Sequence, residues 1–341
     1  MRRFRPFAFD VSNIDRITPD RRDRRIRRDH QAVTQLLGRV DASDRPNLQF
    51  EIDVLDDPEN FRANWIAIAT HLRHVPNLAR SRGLELGCSV GTKLLIMQRL
   101  GAGEIVGCDY AEHLVEDGRY WIEETGTEGI ELVASGESAV PFANAEFDWV
   151  TLQMVYCQLG DAAIEPLIAE MYRVLRPGGI ALVHDGANPH HAPTADAMYD
   201  YYREVELGEG TAEAPAGPLF VMRRALIAGE FTGLDGETID ALARNTAYMR
   251  SEDVRSAVDV FVRGGEEPAS PFVDRGDELV PPVMLDGQAV RRPTDPFVMR
   301  DQFAASGFDV EFRQSYFGAP VDDPVTHFAE DPSVFLVARK A

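Results

Sequence analysis

Leu84-Glu85-Leu86-Gly87-Cys88-Ser89-Val90-Gly91 is an apolar run that carries an acid and then opens into glycines. A second run, Glu104-Ile105-Val106-Gly107-Cys108-Asp109, ends on an acid of its own. Glycine has no Cβ, so a strand that ends in glycines lets its backbone pass close to a ligand. An acid at the tip of the next strand accepts charge-assisted hydrogen bonds from a ribose diol. Together the two runs describe a nucleoside-binding α/β crevice. A dinucleotide-binding turn requires G-x-G-x-x-G, whereas here Gly87 and Gly91 are separated by three residues and Ser89 takes the middle place.

Further motifs follow in order. Pro141-Phe142 precede Phe147-Asp148-Trp149-Val150, and Arg173-Val174-Leu175-Arg176-Pro177-Gly178-Gly179 leads into Ile180-Ala181-Leu182-Val183. In the last of these, Pro177 stops a helix and the paired glycines permit a tight reversal into a buried strand. These stretches resemble the motif set of class I S-adenosylmethionine (SAM)-dependent methyltransferases: E-x-G-x-G-x-G with a departure at Ser89, then PF…FD-hydrophobic, then R-V-L-R/K-P-G-G. The resemblance covers residues 82–186 and, more weakly, 298–341. It implies a doubly wound α/β sheet, mostly parallel, with an antiparallel last strand, and SAM as cofactor with S-adenosylhomocysteine as its product.

Composition narrows the partners. The chain has 341 residues, 44% of them hydrophobic, and a net charge of −21. Lys93 and Lys340 are its only lysines. So acidic a chain is a poor general nucleic-acid binder, which needs a positive field over its contact surface. The local exception is Arg2, Arg3 and Arg5 followed by Arg21, Arg22, Arg24, Arg25, Arg27 and Arg28. This is either a docking arm, with a homodimer through the arm or the insert as one outcome, or a solvated helix face interspersed with Asp20, Asp23 and Asp29. Cys88, Cys108 and Cys157 show no metal or redox spacing and are expected to pack near the carboxyl ends of strands. There is no long apolar run and no apolar leader, which gives the expectation of a cytoplasmic protein without a membrane span.

Four segments are expected along the chain: residues 1–57 as an N-terminal arm and helix (21–38) with a linker rich in Asp, Pro and Asn; 58–189 as the cofactor-binding core; 190–296 as a mainly helical cap; and 297–341 as the closing part of the core. In the core, a helix over 58–79 precedes strands at 83–87, 104–109, 130–134, 147–153 and 179–185, with helices at 91–100, 111–124 and 161–175. That alternation specifies a parallel sheet covered on both faces. Periodicity places helices at 193–206, 218–230, 236–247, 251–263 and 296–306, and strands at 308–314 and 334–339.

The resemblance then assigns roles. Glu85 supports the glycine loop and faces the methionine part of SAM, Gly87, Ser89 and Gly91 form that loop, and Asp109, followed by Tyr110, holds the ribose. The adenine acid of the family is displaced here: Gly136 stands in its place and Glu137 one residue later. Gln153, Tyr156 and Gln158 overlie the crevice, where Gln153 is a cofactor contact and Tyr156 and Gln158 are acceptor contacts or, for Tyr156, core. His184, Asp185 and His190 are candidate bases, because imidazole near its ordinary pKa suits proton removal at neutral pH. A metal reading of His184, Asp185, His190 and His191 competes, but the segment carries no recognised ligand pattern and no metal is expected. Tyr202, Arg223 and Arg224 in the insert are further acceptor candidates, the arginines suiting an anionic group. The expected function is methyl transfer to a small-molecule or glycan-like acceptor, at a hydroxyl oxygen. The alternatives are a non-catalytic SAM-binding or partner subunit and an N-methyltransferase on a small amine.

Overall fold

A computed structural model describes residues 18–136, 139–207, 218–269, 291–315 and 318–341. Seven strands form one sheet: β1 Arg82–Leu86, β2 Glu104–Asp109, β3 Ile130–Ala134, β4 Phe147–Gln153, β5 Leu175–Asp185, β6 Phe308–Arg313 and β7 Val334–Lys340, in the order β3-β2-β1-β4-β5-β7-β6. β1 to β5 run parallel, and β7 is antiparallel to both β5 and β6. The expected antiparallel last strand is therefore present.

Alternation along each strand builds two cores. Leu84, Leu86, Val150, Leu152, Ala181 and Val183 face α6 (Asp161–Val174), α11 (Pro296–Ala305) and α12 (Pro324–Glu330). Ile105, Leu132, Trp149, Leu182 and Phe335 face the opposite layer: α1 Pro19–Leu37, α2 Pro46–Asp56, α3 Pro58–Leu72, α4 Leu94–Arg99 and α5 Glu112–Thr125. Gly83 admits the Trp149 ring between these layers, since a Cβ there would lie 1.9 Å from it. The Trp149 indole then donates to Ser81 Oγ at 2.9 Å.

Three expectations change. The linker after α1 contains α2, which opens on Pro46 and buries Leu48 and Leu55 one face-repeat apart. Proline is well placed in a first helical turn, where the missing N–H has no intrahelical partner to lose. α12 opens on Pro324 in the same way, with Asp323 accepting from Thr326 N, and buries Phe328. Finally, β5 starts at Leu175 rather than 179: the register passes from Phe147↔Leu175 to Trp149↔Ile180, so the Arg-Pro-Gly-Gly turn is an irregularity within the strand.

Between β5 and α11 lie α7 Ala192–Leu207, α8 Pro218–Glu230, α9 Gly236–Asn245 and α10 Ser251–Gly264. α8, α9 and α10 share a small core of their own around Phe220, Ile227, Leu242, Val254 and Val258. No helix among the described residues is long and apolar enough to cross a membrane.

Candidate active site

The loop after β1 alternates its backbone hand. Gly87, Ser89 and Gly91 have φ of +71°, +54° and +75°. Ser89 thus holds, at a steric cost, the left-handed conformation that glycine adopts freely. A Cβ on Gly87 would sit 2.4 Å from Val155, so the loop also needs glycine for space. The amides of Gly87 and Cys88 both donate to Cys108 O, at 2.8 and 3.2 Å. Asp109, 6% exposed, completes the turn. Its Oδ2 accepts from Ser89 N at 2.8 Å and its Oδ1 from Ala111 N at 2.9 Å. A carboxylate has about four acceptor positions, so each oxygen keeps one for a ligand.

These groups border a cavity of about 310 Å³ beyond the carboxyl ends of the strands, lined also by Tyr110, Gly136, Val155 and Gln158. Glu137 lies outside the described residues. The next stretch is fixed by Arg173, which donates to Val140 O at 3.1 Å and Phe142 O at 2.7 Å. That explains why an arginine opens the Arg-Val-Leu-Arg-Pro-Gly-Gly motif. At the end of β4, Met154 adopts φ +56°, a strained value for a side chain of its size.

Glu85 and Gln153 face the α3 side of the sheet rather than the cavity. Gln153 Nε2 donates to Glu85 Oε1 at 3.2 Å. Burial pushes the Glu85 carboxyl up to about 7; Lys93 opposes the shift, and Glu51 and Asp109 add to it. Tyr156 is 4% exposed, and its hydroxyl donates to Gln302 Oε1 at 2.6 Å, so it packs toward α11 and presents nothing to the cavity. Gln158 is exposed on the cavity wall and donates to Met154 O at 2.6 Å.

The three candidate bases separate. Asp185 is fully buried, with Oδ2 accepting from Cys157 N at 3.0 Å and Oδ1 from Gly186 N at 2.8 Å. Both oxygens tie backbone, so this carboxylate shapes the loop after β4 and is not placed to take a substrate proton. His184 packs against His71 with ring centroids 4.9 Å apart, and burial lowers its pKa to about 4. His190 is exposed and pairs with Asp295 at 3.1 Å. Among the described residues, no group of three or more His, Cys, Asp or Glu is placed to hold a metal ion.

Residues 84–183 match a family model described as a methyltransferase domain. That stretch is a methyltransferase domain, for which SAM is the expected cofactor. The residues present suit that cofactor: a glycine cradle that a Cβ would fill, and a carboxylate with free acceptor positions at the tip of β2. Over 124 residues the chain is 27% identical to a Listeria welshimeri protein named demethylmenaquinone methyltransferase, covering 36% of this chain and 52% of the relative. The chain thus spans about half the length of that relative. A Lactococcus lactis protein of the same name is 22% identical over 236 residues, covering 68% of this chain and 88% of the relative. Among solved structures, a SAM-dependent methyltransferase from Mesorhizobium loti aligns with 82% of this chain and 98% of its own at 16% identity and a TM-score of 0.42.

Outside the methyltransferase domain, the insert residues turn inward. Arg223 is fully buried, paired with Glu206 and donating to Ala243 O at 3.0 Å. It carries no free charge for an anionic acceptor. Arg224 pairs with Asp240 on the surface, and Tyr202 is buried with its hydroxyl on Arg291 O. Sequence reasoning missed three residues that meet the glycine loop or the strands beneath it. Glu51 of α2 accepts from Thr92, the residue after Gly91. Thr151 of β4 is the register partner of Glu85, and His71 of α3 packs against His184 of β5. No motif flags them, because two come from helices that precede the domain and the third is an ordinary strand residue.

Proposed function

We propose that this chain transfers a methyl group from SAM to a small-molecule acceptor. The observation that carries the reading is the cavity bounded by the Gly87–Gly91 turn and Asp109. When bound there, SAM supplies a methyl group on a sulfonium, a leaving group that needs no acid. The chain's work is then to hold the cofactor, aim the acceptor and exclude water. Asp109 and the glycine loop hold the nucleoside, the Asp185-fixed loop after β4 shapes the reaction side, and α7–α10 act as a cap over the acceptor.

A hydroxyl acceptor is the finer reading, with the exposed His190 as the candidate to receive its proton; His184, buried against His71, is set aside as the base, and Asp185 acts as a positioning residue. The shared name of the relatives makes demethylmenaquinone the first acceptor to assay. We place the protein in the cytoplasm as a carrier of no general nucleic-acid activity. Transfer of a labelled methyl group from SAM into an extractable acceptor tests the proposal. SAM binding with no transfer to any oxygen, nitrogen or carbon acceptor would favour a non-catalytic subunit.

A further inference from the structure

α4, Leu94–Arg99, follows directly on the glycine loop and is less than two turns long. So short a helix has little stability of its own, and its place is set by what it packs against. The helices outside the methyltransferase domain hold it at both ends. At the far end Arg99 donates to Asp29 Oδ1 at 3.0 Å, and its carbonyl accepts from Arg25 at 2.5 Å, both on α1. At the near end the Thr92 hydroxyl donates to Glu51 Oε2 on α2.

The contact at Thr92 bears on the loop itself, whose backbone is braced group by group. Gly87 and Cys88 donate to Cys108 O, Ser89 donates to Asp109, and the Val90 carbonyl accepts from the Trp121 indole at 2.7 Å. Cys108, Asp109 and Trp121 all lie within the matched residues 84–183. Thr92, 0% exposed, is next in line, and its partner comes from outside that stretch. The loop needs such support. Ser89 sits at φ +54°, a left-handed value that a non-glycine residue keeps when its surroundings over-determine it.

Glu51 is placed for this purpose by its helix. Leu48 and Leu55, three residues before it and four after, form the buried stripe of α2. Helix residues at that spacing share a face. An acid there turns its carboxylate inward, which is costly unless a donor meets it; Thr92 is that donor. The charge is also felt at the loop: burial holds the Cys88 thiol well above its usual range, and Glu51 is among the acids that add to the effect.

We propose that Glu51 is a positioning residue for the cofactor: through Thr92 it fixes the junction between the glycine loop and α4, so that the domain's affinity for SAM depends on helices that precede it. The inference rests on the cofactor reading of the cavity. Glu51 acts through the Thr92 hydroxyl, not by contact with SAM.

The test titrates SAM calorimetrically into the full chain and its variants. Glu51→Ala and Thr92→Val each remove one partner of the bond, and each should weaken SAM binding at least fivefold. The double variant should lose no more than the worse single one, because the two changes break the same bond. Glu51→Gln keeps an acceptor without the charge, and Thr92→Ser keeps the hydroxyl; both should recover affinity to within twofold of wild type. Leu55→Ala, which loosens α2 without touching the bond, should lower Tm and leave SAM affinity within twofold. Should Glu51→Ala not fold, Thr92→Val, which preserves side-chain volume, decides against Thr92→Ser. Unaltered affinity in Thr92→Val overturns the proposal, as do additive losses in the double variant. Glu51→Gln as weak as Glu51→Ala would mean that charge acts rather than the bond, and Leu55→Ala as weak as either would mean general loosening; both results also overturn it. Failure of the wild type to bind SAM refutes the cavity reading instead.

Discussion

Replacing Asp109 by alanine removes a carboxylate that acts in two directions, inward on the amides of Ser89 and Ala111 and outward on the cavity. Loss of charge-assisted bonds to a ribose diol costs about 1.5–3 kcal/mol, or roughly 10- to 150-fold in SAM affinity by calorimetry. Gly83→Ala forces a Cβ into the Trp149 ring and is expected to cost about 3 kcal/mol of stability in denaturant titration, with no direct effect on the cavity. Glu85 gives a pH signature. A carboxyl harder to ionise in the folded chain stabilises the fold fully below its unfolded pKa of about 4.3. That contribution fades as the pH rises through its folded value of about 7. Glu85→Gln should therefore flatten the fall in Tm between pH 5 and 8 in the absence of ligand; an unchanged slope would show that another group sets it. Asp109 and the glycines were legible because backbone geometry restricts which residues can stand there. His71 and Thr151 were not, since their importance comes from neighbours remote in sequence.

One buried acid ties two of the helices that precede the methyltransferase domain to each other and to the domain. Asp29 of α1 accepts from Trp65 Nε1 at 3.0 Å, from Arg25 at 2.7 Å and from Arg99, at the end of α4, at 3.0 Å. Asp29→Ala strands these donors in the interior, and breaking a buried pair in this way costs about 3–5 kcal/mol. The measurement is chemical denaturation, with a separate early loss of helical signal expected if the α1–α3 layer detaches first. This hub also settles part of the arginine-rich stretch: Arg25 and Arg62 make ion pairs within the chain, to Asp29 and Asp23, while Arg2, Arg3 and Arg5 lie outside the described residues. At this scale the strands and long helices were readable from alternation and periodicity. α2 and α12 were not, because each opens on a proline flanked by polar residues that also spell a loop, and only tertiary burial of Leu48, Leu55 and Phe328 decides for helix.

In the whole molecule, the α7–α10 segment returns to the methyltransferase domain through a few anchors. Arg292 N donates to Cys157 O at 2.6 Å and Thr294 N to Ala187 O at 2.8 Å. Excising α7–α10 while keeping residues 291–295 should leave SAM binding in place and abolish acceptor turnover; retained turnover would mean that the acceptor is selected elsewhere. The central claim concerns the cavity itself, and calorimetric titration of the intact chain with SAM and with NAD tests it most directly. The account predicts saturable heat with SAM and none with NAD. Saturable NAD binding with no SAM heat would contradict it.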